Sequence, residues 1–123
     1  MLIAMALATA KISQAATPAV GEDEIVVMGQ RLTRWTGKYQ IRGARRKCST
    51  KISSGDREVD KVGCAAFLEC ADKYQTLTNA GDAKDINRDV RASLKQELIN
   101  NMQTCIADKR IVLLRELSSR RAR

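Results

Sequence analysis

The stretch Cys48–Cys70, CSTKISSGDREVDKVGCAAFLEC, contains three of the chain's four cysteines and decides how the fold is interpreted. Structural zinc sites usually bring their ligands in pairs two to four residues apart. Here fifteen, five and thirty-four residues separate successive cysteines, and the chain has neither a histidine nor a C-x-x-C pair. This pattern disfavours zinc and thioredoxin-like redox chemistry. The sequence therefore predicts no metal site and two disulfides, formed among Cys48, Cys64, Cys70 and Cys105.

The N-terminal segment has the features of an export signal. An apolar run over residues 2–10 precedes Ser-Gln-Ala at 13–15, which fits the small-x-small rule for signal peptidase. Lys11 follows the apolar run, whereas the basic residue of a signal peptide normally precedes it. The run is too short to anchor the chain in a bilayer. We expect a signal peptide over residues 1–15, a mature N-terminus near Ala16 and a periplasmic or secreted protein; the alternative is an ordinary N-terminal helix.

Composition supports one small domain with a thin core. The chain has 123 residues, and only 3% of them are aromatic. A short exported chain with so few large side chains is commonly reinforced by disulfides.

The segment over residues 16–30 is predicted as a linker or as the first strand. An acidic cluster precedes Ile25–Met28, a β-branched run that Gly29 ends, and such runs favour strands. The first strand of the domain is the favoured interpretation. The alternative is an exposed tail that docks on the sheet edge of another protein.

Residues 31–118 are predicted to form the domain. A basic ribbon or antiparallel hairpin covers about 31–52, because alternating residues are punctuated by Gly37 and Gly43. Asp56 is a good N-cap and begins a helix over about 56–76. A loop then precedes a long amphipathic helix over about 84–118.

Two further predictions concern the long helix. A kink or break is expected at Asn100 and Asn101, because asparagine has low helix propensity. The basic tail over residues 119–123 is expected to fray. The predicted fold class is α+β, mainly α: a short β-ribbon or hairpin packed on two antiparallel helices and stapled by disulfides.

The expected distances between the cysteines constrain the disulfide pairing only weakly. Cys64 and Cys70 are about 9 Å apart along a regular helix, beyond the separation that a disulfide tolerates, so they do not bridge each other. The slightly preferred pairing joins Cys48 to Cys70 and Cys64 to Cys105. Cys48 with Cys64 and Cys70 with Cys105 is nearly as good.

Five motifs in order, EIVVMGQRL, RWTGKY, a cysteine, SGDREVDKVGC and a further cysteine, resemble a group of small uncharacterised exported proteins of alphaproteobacterial type. The resemblance covers about residues 24–70, and SGDREVDKVGC is its most specific part. It implies export and disulfides, and it implies no activity.

The sequence predicts a binding module that is not an enzyme and has no cofactor. It contains no phosphate-binding glycine loop, nucleophile elbow or metal-binding run. Lysine and arginine number 22 against 14 acidic residues, a formal charge of +8. Such a basic surface suits an anionic partner. The predicted polyanion-binding residues are Arg34, Trp35, Tyr39, Arg42, Arg45, Arg46 and Lys47.

The predicted partner is an anionic envelope component or an envelope protein. Nucleic acid is disfavoured, because few aromatic side chains accompany the cations and because export removes the chain from intracellular DNA and RNA. If the signal peptide is misread, the alternative is a cytoplasmic basic nucleic-acid-binding protein. A solvated surface that only keeps the protein soluble accounts for the charge equally well.

Overall fold

The computed structural model describes residues 20–122, so the predicted signal peptide and its cleavage site lie outside the described residues. In this range the chain forms a mainly helical α+β fold with one antiparallel hairpin packed on helices and two disulfides. The predicted fold class is therefore confirmed. Its elements are α1 (Val20–Leu32), β1 (Thr36–Arg42), β2 (Arg45–Ile52), α2 (Arg57–Lys73), α3 (Gln75–Gly81) and α4 (Arg88–Arg121).

Helix α1 replaces the predicted strand at Ile25–Met28, so that prediction is wrong. Ile25, Met28 and Leu32 recur at helical spacing and pack in or against the core, whereas Val26 and Val27 are exposed. An amphipathic stripe that buries Met28 and Leu32 outweighs the strand propensity of the β-branched run. The domain therefore includes α1 and begins earlier than residue 31.

The predicted hairpin is present, with strands β1 and β2 joined by a two-residue turn. Arg42 pairs with Arg45, and Gly43 in the turn has a φ of 60°. Every non-glycine residue between 20 and 122 has a negative φ, so Ala44 does too. This combination is typical of a type II′ turn, in which glycine occupies the first central position.

Helix α2 begins where the sequence predicts. The carboxylate of Asp56 accepts hydrogen bonds from the backbone N–H groups of Glu58 and Val59 at 3.0 and 3.3 Å. Asp60 accepts from Ser53 and Ser54, which holds the connection from β2 against the first turn of the helix. The two bonds to Asp56 satisfy N–H groups of the first turn that have no partner inside the helix.

The chain after α2 is more helical than predicted. Part of the expected loop forms the short helix α3, which packs on α4, and α4 continues without a break through Asn100 and Asn101. Each asparagine costs only about 0.7 kcal/mol relative to alanine, and burial of Met102 and Cys105 just beyond them offsets that cost. The predicted break is therefore wrong.

The C-terminal end of α4 is not a frayed tail. Arg121 is the last residue of the helix, and its guanidinium donates to Asp56 at 2.8 Å and to Glu58 at 3.0 Å. These contacts join the end of α4 to the beginning of α2, so the two helices run antiparallel. The prediction of a fraying segment over 119–123 is wrong for the residues up to Ala122.

The core consists of two clusters stacked along α2. One cluster joins α1, α2, α4 and Trp35, and its buried residues are Met28, Leu32, Trp35, Val59, Val62, Leu114 and Leu117. The other joins α2 to the middle of α4 through Phe67, Cys70, Ala71, Met102 and Cys105. The two clusters lie under the hairpin and hold it against the helices.

The disulfides are Cys48–Cys64 and Cys70–Cys105, so the preferred pairing is wrong and the alternative is the one observed. A strand advances about 3.3 Å per residue and a helix 1.5 Å. Cys48 therefore lies about 13 Å back along β2 from Ile52, which matches the rise of about 10 Å from Arg57 to Cys64. Cys70 lies about 20 Å along α2, opposite α4.

Candidate anion-binding face

The β1–β2 hairpin has two different faces, because successive side chains of a strand point to opposite sides of the sheet. On the inner face Tyr39 stacks on Phe67, with ring centroids 4.2 Å apart, and Cys48 is bonded to Cys64. The side chains that alternate with these point away from the helices. We call this exposed surface the outer face, and its residues are Lys38, Gln40, Arg42, Arg45, Lys47 and Ser49.

The outer face carries positive charge without acidic neighbours. The register places Lys38 opposite Ser49, Lys47 opposite Gln40, and Arg42 opposite Arg45. None of the ion pairs found within residues 20–122 involves one of these four cations. A concavity of about 470 Å³ is lined by four residues of the face together with Arg46, Cys48 and Leu68.

Trp35 is part of the core and is not available to a ligand. Only 6% of its surface is exposed, and its indole N–H donates to the Thr50 hydroxyl at 2.8 Å. A Cβ atom added to Gly63 would lie 2.8 Å from its ring, so the missing side chain on α2 makes room for the indole. The predicted ligand-binding role of Trp35 therefore does not fit its position.

Tyr39 lies on the inner face, away from the four cations of the outer face. Its ring is stacked on Phe67, and its hydroxyl accepts a hydrogen bond from Arg110 at 3.3 Å. The guanidinium of Arg110 also lies 5.6 Å from the Trp35 ring centroid, within the range of a cation–π contact. Tyr39 thus links the hairpin to α4, and one side of its ring is covered.

Arg46 also points inward, and its charge is paired. Its guanidinium donates to Asp72 at 3.1 Å and to the side chain of Gln75, and only 19% of its side chain is exposed. Gln75 in turn donates to the carbonyl of Gly43 at 3.0 Å. This network fixes the hairpin turn to the end of α2 and the start of α3, so Arg46 positions the face rather than forming it.

Arg34 is exposed in the connection between α1 and β1, and it is not on the outer face. It lines a different concavity together with Arg31 and Gly55. Of the seven residues predicted to bind a polyanion, the structure therefore brings three to one surface: Arg42, Arg45 and Lys47.

Sequence reasoning missed Lys38 and Gln40, which complete the outer face. The signal was present in the alternation of β1, where Lys38, Gln40 and Arg42 occupy every second position. A count of the cations over residues 31–51 does not assign each side chain to one side of the strand. The predicted set therefore included side chains that point inward as well as side chains that point outward.

The carboxylates with shifted pKa values have structural roles. Burial alone would raise the pKa of Asp56, but hydrogen bonds from Arg121, Val59 and Glu58 outweigh burial and lower it below the ordinary value of 3.8. Burial would likewise raise the pKa of Asp60, but hydrogen bonds from Ser53 and Ser54 outweigh burial and lower it. Both groups cap or brace the start of α2, which explains their perturbation without a catalytic task.

Metal binding finds no support in the described part of the chain. All four cysteines are in disulfides, so no thiolate is free to bind a metal. Between residues 20 and 122 no three potential ligands among histidine, cysteine, aspartate and glutamate cluster as a metal site would require. In the same range no helix is both long and apolar enough to cross a membrane.

Comparison with known proteins leaves the outer face as the main guide to function. No family model, curated protein or solved structure matches the chain. The resemblance to small exported proteins therefore stays a prediction.

Proposed function

We propose that the protein is exported and binds an anionic component of the cell envelope through the outer face of its hairpin. The observation that carries this proposal is the segregation of charge on the hairpin. Lys38, Arg42, Arg45 and Lys47 share one exposed surface, and none belongs to an ion pair within residues 20–122. Uncompensated cations on a rigid surface attract polyanions.

The disulfides support the extracytoplasmic location. Disulfides form and persist in oxidising compartments, which include the bacterial periplasm and the extracellular space, and they are rare in the cytosol. Both bridges have Cα–Cα separations, 5.5 and 5.9 Å, near the commonest value for disulfides. An envelope component is therefore a better partner for the outer face than an intracellular one.

Nucleic acid fits the same surface less well. Single-stranded nucleic acids bind basic grooves through aromatic side chains on which bases stack. Trp35 is buried, and one side of the Tyr39 ring is covered by Phe67. Trp35 is thus unavailable for stacking, and Tyr39 is already stacked on Phe67 and hydrogen-bonded to Arg110.

The proposal is tested by sedimentation of the oxidised protein with phosphatidylglycerol vesicles. The double variant Lys38→Glu/Lys47→Glu reverses two charges of the outer face. Each basic residue near an anionic membrane contributes about 1 kcal/mol, so we expect binding to weaken by at least about thirtyfold at low salt. Binding of the unaltered protein should also fall steeply as salt increases.

The matched control is Lys84→Glu/Arg88→Glu, which changes the net charge equally at two other exposed residues. Neither residue is on the hairpin, and neither lines the two concavities at the outer face. We expect this variant to keep most of the binding. Equal losses in both variants would mean that only net charge matters, and unchanged binding in both would mean that the outer face serves solubility alone; either result would overturn the proposal.

A further inference from the structure

The tip of the hairpin presents two arginines directly opposite each other. Arg42 and Arg45 flank the two-residue turn, are paired across the strands and lie on the outer face. Cβ atoms of directly opposite residues are about 5 Å apart, and like charges at that position destabilise a hairpin. In residues 20–122 neither arginine is in an ion pair, so their mutual repulsion is uncompensated in the protein alone.

A small concavity lies between these arginines and the next pair of residues. It has a volume of about 230 Å³ and is lined by Gln40, Arg42, Arg45 and Lys47. Two guanidiniums, one ammonium and one amide therefore surround it, and all of them can donate hydrogen bonds. This set offers an excess of donors and three positive charges, which suits a compact anion that carries more than one charge.

The backbone beneath the concavity is held in place from the other side. The side chain of Gln75 donates to the carbonyl of Gly43 at 3.0 Å, and Arg46 is held by Asp72 and Gln75. The Asp72 carboxylate is thus engaged by Arg46 on the inner face. A turn that is already ordered loses little entropy when a ligand binds to it.

We propose that this tip binds one phosphate group, in the form of a phosphomonoester or free phosphate, between Arg42 and Arg45; this inference rests on the proposed function of the outer face. A guanidinium presents a planar fork of N–H donors that matches phosphate in bidentate geometry, whereas an ammonium acts as a point charge. A doubly charged phosphate between the forks also removes the repulsion between the arginines. Lys47 and Gln40 complete the ring of donors.

The test uses the charge-conserving variant Arg42→Lys/Arg45→Lys, with inorganic phosphate and phosphatidic acid vesicles as probes. We expect phosphate to shift the backbone amide signals of residues 42–47 in the unaltered protein, and we expect the variant to bind at least tenfold more weakly to whichever probe is bound. Binding of inorganic phosphate would point to the free ion, and binding of the vesicles alone would point to a lipid headgroup. Thermal unfolding should be unchanged in the variant, because both side chains are exposed.

Phosphatidylglycerol vesicles, whose phosphate is a singly charged diester, separate this inference from the proposed function. The lysine variant should bind them nearly as well as the unaltered protein, because its net charge is the same. Equal phosphate affinity in the two proteins would overturn the inference. It would also be overturned if phosphate caused no shifts at residues 42–47 and the unaltered protein bound phosphatidic acid no better than phosphatidylglycerol. Neither result would affect the proposed function, which depends on the Lys38 and Lys47 reversal.

Discussion

Single side chains join separate elements at both ends of the molecule. At one end Asp56 caps α2 and also accepts from Arg121, the last residue of α4. At the other end Arg46 bridges β2 to Asp72 and Gln75. Each of these side chains ties together elements that are far apart in the sequence. The charges they carry are satisfied internally and are therefore not part of the outer face.

At this scale Asp56 yields a prediction about stability. Asp56→Asn keeps an N-cap of similar strength but removes the charge that Arg121 contacts, whereas Asp56→Ala removes both. We expect the free energy of unfolding at pH 7 to fall by about 1–2 kcal/mol in the asparagine variant and by about 1 kcal/mol more in the alanine variant. Urea unfolding with both disulfides intact measures the difference.

The same variants should differ in pH dependence. Because the pKa of Asp56 is lowered in the folded protein, its contribution is complete above the unfolded value and is lost as pH falls through the lower, folded value. Stability of the unaltered protein should therefore decrease below about pH 4, and the decrease should be smaller in Asp56→Asn. An asparagine variant with the unaltered pH dependence would contradict the ion pair between Asp56 and Arg121.

Among the elements, those with a strong local signal were predictable from the sequence. The hairpin and the start of α2 were predicted correctly, because a glycine turn and an N-cap act over two or three residues. Helix α1 was not, because its β-branched run favours a strand until Met28 and Leu32 meet a core formed by distant residues. The disulfide pairing also depends on how β2 lies along α2. The spacing of the cysteines in the sequence does not determine that packing.

The two disulfides join different pairs of elements and should differ in behaviour. Cys48–Cys64 fixes β2 to α2 and is half-buried, whereas Cys70–Cys105 joins α2 to α4 within the core, where Cys70 is fully buried. We expect graded reductant to open Cys48–Cys64 first, because attack on a disulfide requires access to sulfur. Alkylation followed by peptide mass analysis identifies the first thiols, and earlier release of Cys70 and Cys105 would contradict this order.

Serine variants of each pair provide the energetic comparison. The bridges span 16 and 35 residues of sequence, and loop-closure entropy predicts losses of about 3 and about 4 kcal/mol on removal of the first and second. Removal of Cys70–Cys105 should cost more than this difference alone, because it also leaves space in the core cluster around Phe67. A smaller loss for the Cys70–Cys105 pair would contradict the placement of that bridge in the core.

For the whole molecule, the fold gives different roles to two sets of cations. Arg46 and Arg121 are held by carboxylates and hold the elements together, whereas Lys38, Arg42, Arg45 and Lys47 are displayed on the outer face. The net charge and the richness of residues 31–51 in cations were visible in the sequence. Which cations face outward was not, because that depends on the register of the hairpin and on the side that the helices cover.

The central claim is that an anionic surface binds specifically to the outer face of the hairpin. The alternative is that the net positive charge of the whole molecule attracts the surface without a defined site. The most direct measurement is a residue-resolved map of backbone amide signals as phosphatidylglycerol bicelles are added to the oxidised protein. We expect broadening to concentrate in residues 38–49 of the hairpin and to spare the exposed cations Arg57, Lys61, Lys84 and Arg88. Broadening spread evenly over all of these cations, or concentrated away from the hairpin, would contradict the claim.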